Sequence, residues 1–157
     1  KGMVYLSIFM NVHNVHVNRS PLAGRIISIK HKSGGYLPAF SKDSDKNERL
    51  MTKIETSIGT IKLIQIAGVL VRRIVSYVKP NSEVSKGERI GLIHFGSRVD
   101  LSFESAGINL LVKKGDKVLA GQQLAEYTPM SSLSVTEKLF EAPKRLLSKL
   151  QATQSED

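Results

Sequence analysis

Between residues 50 and 66 the chain reads Leu50-Met51-Thr52-Lys53-Ile54-Glu55-Thr56, turns at Gly59, and continues from Ile61 to Ile66 around Lys62 and Gln65. Two runs that alternate apolar and polar residues on either side of a glycine are what a β-hairpin with one buried face requires. A helix would need its apolar residues three and four apart. Other runs read the same way. Val4 to Met10 is short and rich in β-branched and aromatic residues, which predicts a buried strand. His13 to Pro21 reads as a polar loop, with Pro21 forcing Ser20 toward extended geometry, and Gly24 releases the chain into a strand over Arg25 to Lys30. Gly34-Gly35 ends that strand, and Ser41 to Asn47 is a charged loop or the first turn of a short helix. Val69 to Val78 fits either a central strand or a short helix, and Lys79-Pro80-Asn81 stops it. The expectation is a mainly β domain over residues 1–130.

The chain then nearly repeats itself. Val84-Ser85-Lys86-Gly87-Glu88-Arg89-Ile90 is echoed by Val112-Lys113-Lys114-Gly115-Asp116-Lys117-Val118, each a tight turn with glycine beside an acid and a base. The second copy runs on through Leu119 to Ala125. This pattern resembles the barrel-sandwich hybrid of lipoyl and biotinyl carrier domains. A carrier needs a lysine at the tip of an exposed hairpin, typically beside methionine or an acid, and Met3, Met10, Met51 and Met130 flank no such lysine, so the resemblance implies the fold and not the carrier function. Residues 131–157 form the one convincing helical region, a tail with a capping box at Ser134-Val135-Thr136-Glu137 and a Leu139, Phe140, Leu146, Leu147, Leu150 face opposite Lys144, Arg145 and Lys149. Pro143 kinks or divides it. Such a tail either packs on the β domain or lies on lipid.

With 157 residues and no cysteine, the chain is long enough for one domain with its own core and has no disulfide or thiolate chemistry. Four scattered histidines offer no structural zinc site. The net charge of +9 draws anionic partners, and with aromatics at only 6% and no tryptophan a single-strand nucleic-acid platform is poorly supported, which favours an anionic membrane surface over nucleic acid. No run approaches the length of a membrane-spanning helix.

Chemistry concentrates at Ile93-His94-Phe95-Gly96-Ser97-Arg98-Val99-Asp100, a strand-like stretch interrupted by one Gly-Ser bond. Most Gly-Ser pairs are turn residues. The same pair also suits an internal acyl shift, in which the Ser97 hydroxyl attacks the Gly96 carbonyl and the peptide becomes an ester, given a base and oxyanion donors nearby.

Phe-Gly-Ser-Arg-Val-Asp followed by Leu101 and Phe103 resembles the processing site of the phosphatidylserine decarboxylases, most closely their short, archaeal-type branch, the archaetidylserine decarboxylase-like proteins. Further matching blocks come in the family's order: Val15-His16-Val17-Asn18-Arg19-Ser20-Pro21 with Gly24, Asn47-Glu48-Arg49, and Gln65-Ile66-Ala67-Gly68 followed by Arg72-Arg73-Ile74. Together they cover about residues 3–127. Longer members carry a second histidine where this chain has Arg19, and an acid common before the histidine block is Asn14 here. The resemblance also implies an Asp-Gly segment further toward the N-terminus, often behind a hydrophobic anchor.

The resemblance implies cleavage between Gly96 and Ser97 and a pyruvoyl group derived from Ser97. That group forms a Schiff base with the amine of a serine phospholipid, accepts the electrons as CO₂ leaves, and yields the ethanolamine lipid. No side chain supplies such an electron sink, and the sequence shows no phosphate cradle for a pyridoxal cofactor. His16 is the candidate general acid or base, since imidazole titrates near neutrality. His13 and His94 are weaker candidates; odd spacing puts His94 on the opposite strand face from Ser97. Arg19, Arg72, Arg73 and Arg98 are candidate phosphate or carboxylate clamps, or surface arginines. The implied partners are the serine phospholipid, an anionic membrane surface, and the two cleavage chains with each other, with no nucleic acid and no metal. The expected location is peripheral, on the cytoplasmic membrane face, or anchored through an N-terminal segment. Two rival readings are a pyruvoyl decarboxylase of a soluble amino acid and a non-catalytic lipid-binding or carrier-like β domain with the Gly96-Ser97 bond intact.

Overall fold

The computed structural model describes residues 2–69, 73–94 and 96–129. Among the described residues the chain is mainly β, as the alternating runs predict. In order the strands are β1 (Met3–Met10), β2 (Val17–Arg19), β3 (Gly24–Lys32), β4 (Arg49–Thr56), β5 (Gly59–Ile66), β6 (Ile74–Ser76), β7 (Glu83–Val84), β8 (Arg89–Ile93), β9 (Ser97–Glu104), β10 (Ile108–Leu110) and β11 (Ala125–Tyr127). A 3-10 helix, Lys42–Lys46, lies between β3 and β4, with the Ser41 hydroxyl accepting the Asp43 N–H as its cap.

Contacts divide the chain into two compact units, residues 1–105 with 117–122, and residues 106–116 with those from 123 onward. The first contains a six-stranded sheet in the order β1-β9-β5-β4-β3-β7 and a three-stranded sheet in the order β2-β8-β6, all neighbours antiparallel. The second contains the β10-β11 pair. The helical tail expected over residues 131–157 lies outside the described residues. Among those described, no helix is long and apolar enough to cross a membrane.

Alternation decides which face of the six-stranded sheet is buried. Ile54 from β4, Ile61 and Leu63 from β5, and Val99, Leu101 and Phe103 from β9 point to one side, and Ile26 from β3 joins them. Ile90 and Ile93 of β8 are buried in the same unit. A polar bond crosses between the two sheets: the Gln65 amide on β5 donates to Asn18 Oδ1 on β2 at 2.7 Å, both side chains buried. Gly91 on β8 permits it, since a Cβ there would come within 3.1 Å of both polar atoms of that amide and 2.6 Å of the Val75 carbonyl.

Three expectations change. β1 is a strand but not a buried one; it is an edge strand paired with β9, and nothing among the described residues covers the face on which Tyr5 and Phe9 stand 74% and 53% exposed. The polar loop His13 to Pro21 contains β2, short but paired with β8. Ile93 to Asp100 is not one strand: β8 ends at Ile93 in the small sheet and β9 begins at Ser97 in the large one. The ambiguous Val69 to Val78 segment yields the three-residue strand β6.

Candidate active site at the Gly96-Ser97 junction

Gly96 is the corner where the chain leaves one sheet for the other, and it turns that corner with φ +58°, in the left-handed region that other residues enter only with strain. Its carbonyl lies against Gly68, where a Cβ would overlap the Gly96 oxygen. Glycine at position 68 is therefore what lets the backbone of the β5 exit touch the Gly96 carbonyl.

Position 68 is itself braced. Asn47, 1% exposed, donates its side-chain amide to the carbonyls of Ala67 at 2.8 Å and Leu37 at 2.7 Å and accepts the Leu37 N–H. The Ala67 N–H donates to the Glu48 carbonyl at 3.0 Å. The Glu48 carboxylate takes the Tyr36 hydroxyl at 2.7 Å and the His31 ring at 3.1 Å. Burial pushes that carboxyl up, but the bonds from Tyr36 and His31 outweigh it and leave it below its ordinary value.

His16 approaches from the other side. The turn that holds it is closed by the Asn14 N–H on the Asn11 carbonyl and the Asn11 N–H on the Asn14 side chain. The ring is 9% exposed; its Nδ1 lies 2.8 Å from the Asn14 carbonyl, and its Nε2 accepts the Gly96 N–H at 3.0 Å. Both bonds together require the neutral ring with its proton on Nδ1 and its lone pair on Nε2. A backbone carbonyl thus orients the imidazole at the position where an acid is common in the resembled family. The Ile93 N–H, donating to the His16 carbonyl, ties this turn to the end of β8.

Ser97 opens β9 on the buried face. It is 1% exposed, and its hydroxyl has no hydrogen-bond partner among the described residues. A buried hydroxyl normally finds a partner. This one sits beside the carbonyl an acyl shift would attack, with an imidazole lone pair one residue away.

Other candidates stand elsewhere. His13 is exposed. His94 lies between β8 and β9, so the odd-spacing argument against it does not apply; its N–H donates to the Arg73 carbonyl at 3.4 Å. Arg19 donates to the Gly87 carbonyl at 2.7 Å, Arg73 is exposed, and Arg72 lies outside the described residues. Arg98 donates to the Ser44 hydroxyl at 2.8 Å and to the Asp45 and Asp100 carboxylates, with its guanidinium 5.9 Å from the centre of the Phe9 ring. Burial opposes its charge, but the two carboxylates outweigh burial and raise its pKa above the ordinary value. Asn18, Asn47, Gln65 and Gly68 carry the support around the junction, and sequence reasoning gave them no individual role. Their signal was their membership in three blocks that the fold brings to one corner.

The sequence model of the phosphatidylserine decarboxylase family matches residues 1–126. The chain belongs to that family. It is 56% identical over 115 residues to a Methanococcoides burtonii protein provisionally named an archaetidylserine decarboxylase proenzyme, covering 73% of this chain and 55% of the relative. It is 50% identical over 121 residues to the phosphatidylserine decarboxylase proenzyme of Thermobifida fusca, covering 77% and 55%. The Streptomyces coelicolor phosphatidylserine decarboxylase proenzyme is 50% identical over 120 residues, covering 76% and 55%. The chain therefore spans about half the length of these relatives.

Proposed function

We propose that this chain carries the self-cleaving centre of a decarboxylase acting on a serine phospholipid. The observation that carries the reading is the buried Ser97 hydroxyl, without a hydrogen-bond partner among the described residues, at a left-handed glycine whose N–H bonds His16. The names of the relatives, all proenzymes acting on phosphatidylserine or archaetidylserine, agree with it.

On this reading His16 Nε2 leaves the Gly96 N–H and takes the proton of the Ser97 hydroxyl, and the oxygen attacks the Gly96 carbonyl carbon. The Gly96-Ser97 C–N bond breaks, the nitrogen receives the proton, and an ester joins the two residues. Loss of the Ser97 α-proton then expels the Gly96 carboxylate, and hydrolysis with loss of ammonia leaves a pyruvoyl group at the head of a second chain. Ser97 is the residue at the junction whose hydroxyl, α-carbon and nitrogen this sequence requires. The pyruvoyl carbonyl supplies the electron sink that decarboxylation needs. His16, held by the Asn14 carbonyl, is then the group placed to return a proton to the carbon that has lost CO₂. The basic surface draws the enzyme to an anionic membrane, and residues 1–96 stay paired with the chain that starts at residue 97.

The test is the intact mass of the full-length protein before and after borohydride reduction in the presence of a serine phospholipid. The reading requires two chains, the smaller with a blocked, ketone-bearing N-terminus that is trapped by the lipid amine. A free serine at that N-terminus would mean ordinary proteolysis, and an intact Gly96-Ser97 bond would mean a non-catalytic domain.

A further inference from the structure

Cleavage at Gly96-Ser97 would turn residue 97 into a chain end, and chain ends fray unless something ties them down. Backbone pairing is thin at that position. Ser97 pairs with Met10 on the edge strand β1, whereas the ladder to β5 begins one residue later, at Arg98 with Ile66. Next to this end, Arg98 pairs through its backbone with Phe9 and Ile66 and adds a side-chain anchor. Arg98, 12% exposed, spreads its guanidinium over the Ser44 hydroxyl, the Asp45 carboxylate and Asp100 Oδ2, the last at 2.9 Å. Ser44 is fully buried, so the arginine is fastened to a fixed point of the 3-10 helix as well as to its own strand. A forked cation on two carboxylates is a strong and directional tie.

We propose that Arg98 is a positioning residue: its bridge to Ser44, Asp45 and Asp100 holds the N-terminal end of the second chain, and with it the group made from Ser97, at His16 once the bond to Gly96 is gone. This rests on the proposed self-cleavage. Before the cut, the covalent link to Gly96 does the holding and the bridge is dispensable; after it, the bridge is the tether.

The experiment compares Arg98→Met in two backgrounds of the full-length protein, the self-cleaving chain and the uncleavable Ser97→Ala chain, with Asp45→Asn as a milder variant that removes one exposed arm. The first readout is cleavage rate by intact mass, expected within about threefold of wild type for Arg98→Met. The second is turnover of phosphatidylserine in mixed micelles, where kcat should fall about tenfold or more with KM little changed. The third is backbone hydrogen exchange at residues 98–100, expected to rise about tenfold in the cleaved chain and to stay near wild type in the Ser97→Ala chain. A merely structural arginine would loosen both backgrounds alike, and that result, or unchanged kcat, overturns the proposal while leaving self-cleavage standing. If the wild-type chain never cleaves, the proposal falls together with the reading it rests on. Should Arg98→Met fail to fold, Asp45→Asn carries the same comparison, with a smaller drop in kcat and a rise in exchange at residues 98–100 confined to the cleaved background as support, and no drop in kcat or an equal rise in both backgrounds as refutation.

Discussion

Gly87 and Gly96 share a backbone device, and each sends its N–H to a residue far earlier in the chain, but they differ in the chemistry of what surrounds them. Both turn with positive φ, +81° and +58°, and at neither would a Cβ come within 4 Å of a described residue beyond its chain neighbours. The Gly87 N–H donates to the Ser20 carbonyl at 2.8 Å and its carbonyl accepts from Arg19; it sits in a tight turn, where the Glu88 N–H donates to the Ser85 carbonyl and the Glu88 carboxylate accepts the Ser85 N–H at 2.7 Å. The turn at Gly115 repeats this with Asp116 and Lys113, and the turn at Gly121 with Gln122 and Leu119. Among the described residues, Gly96 closes no turn of its own. Its N–H goes to a histidine eighty residues earlier in the chain and its carbonyl rests on Gly68. On the proposed reading, a left-handed glycine becomes a reactive junction when an imidazole takes its N–H and a buried hydroxyl follows it in the chain; Gly87, whose N–H meets a carbonyl and whose next residue is Glu88, has neither.

That contrast can be broken experimentally. Ser97→Ala removes the attacking oxygen and should abolish cleavage, leaving one full-length species by mass, while Ser97→Cys retains some, because a thiol also performs the shift. Gly68→Ala should be nearly as severe. The new methyl meets backbone, which cannot swing aside, so cleavage should slow about a hundredfold while circular dichroism still reports a β fold. Gly87→Ala is the control: strain in the left-handed region should cost about 1–2 kcal/mol in denaturant unfolding and leave the cleavage rate unchanged. His16→Ala should slow cleavage or turnover about a hundredfold, the scale of a lost general acid-base group, and wild-type rates of both would remove His16 from the mechanism.

The smallest effect sharpens the same comparison through the bracing of Gly68. The Glu48 carboxyl titrates below its ordinary value, so its contribution is present at neutral pH and is lost as pH falls from the ordinary glutamate range through the lowered value. Glu48→Gln should cost about 1 kcal/mol at neutral pH and flatten the acid side of the stability profile, measured by urea unfolding at several pH values.

The hairpin β4-β5 was legible because alternation and a turn glycine are local, and so were β3 and the turn at Gly87. β2 was not, because three residues in a polar stretch become a strand only through their partner β8. The burial of β1 was misread for the converse reason: composition reports a strand and says nothing about what will cover its faces. Ile93 to Asp100 read as one strand since both halves have strand composition, and the change of sheet at Gly96 is a tertiary event. The polar braces follow the same rule. Asn18 and Gln65 are 47 residues apart, and Asn47 reaches Ala67 across twenty, distances at which no periodicity operates.

β9 lies between β1 and β5, so both of its neighbours in the large sheet come from residues N-terminal to the Gly96-Ser97 bond. The corner at Gly96 acquires its histidine and its Gly68 wall only once those strands are assembled. On the proposed reading, an unfolded or misassembled chain therefore has no means of cutting itself. Cleavage then serves as a checkpoint on assembly: a copy in which β9 missed its slot stays in one piece and inactive, and the proportion of uncut protein in a preparation measures how much of it failed to fold.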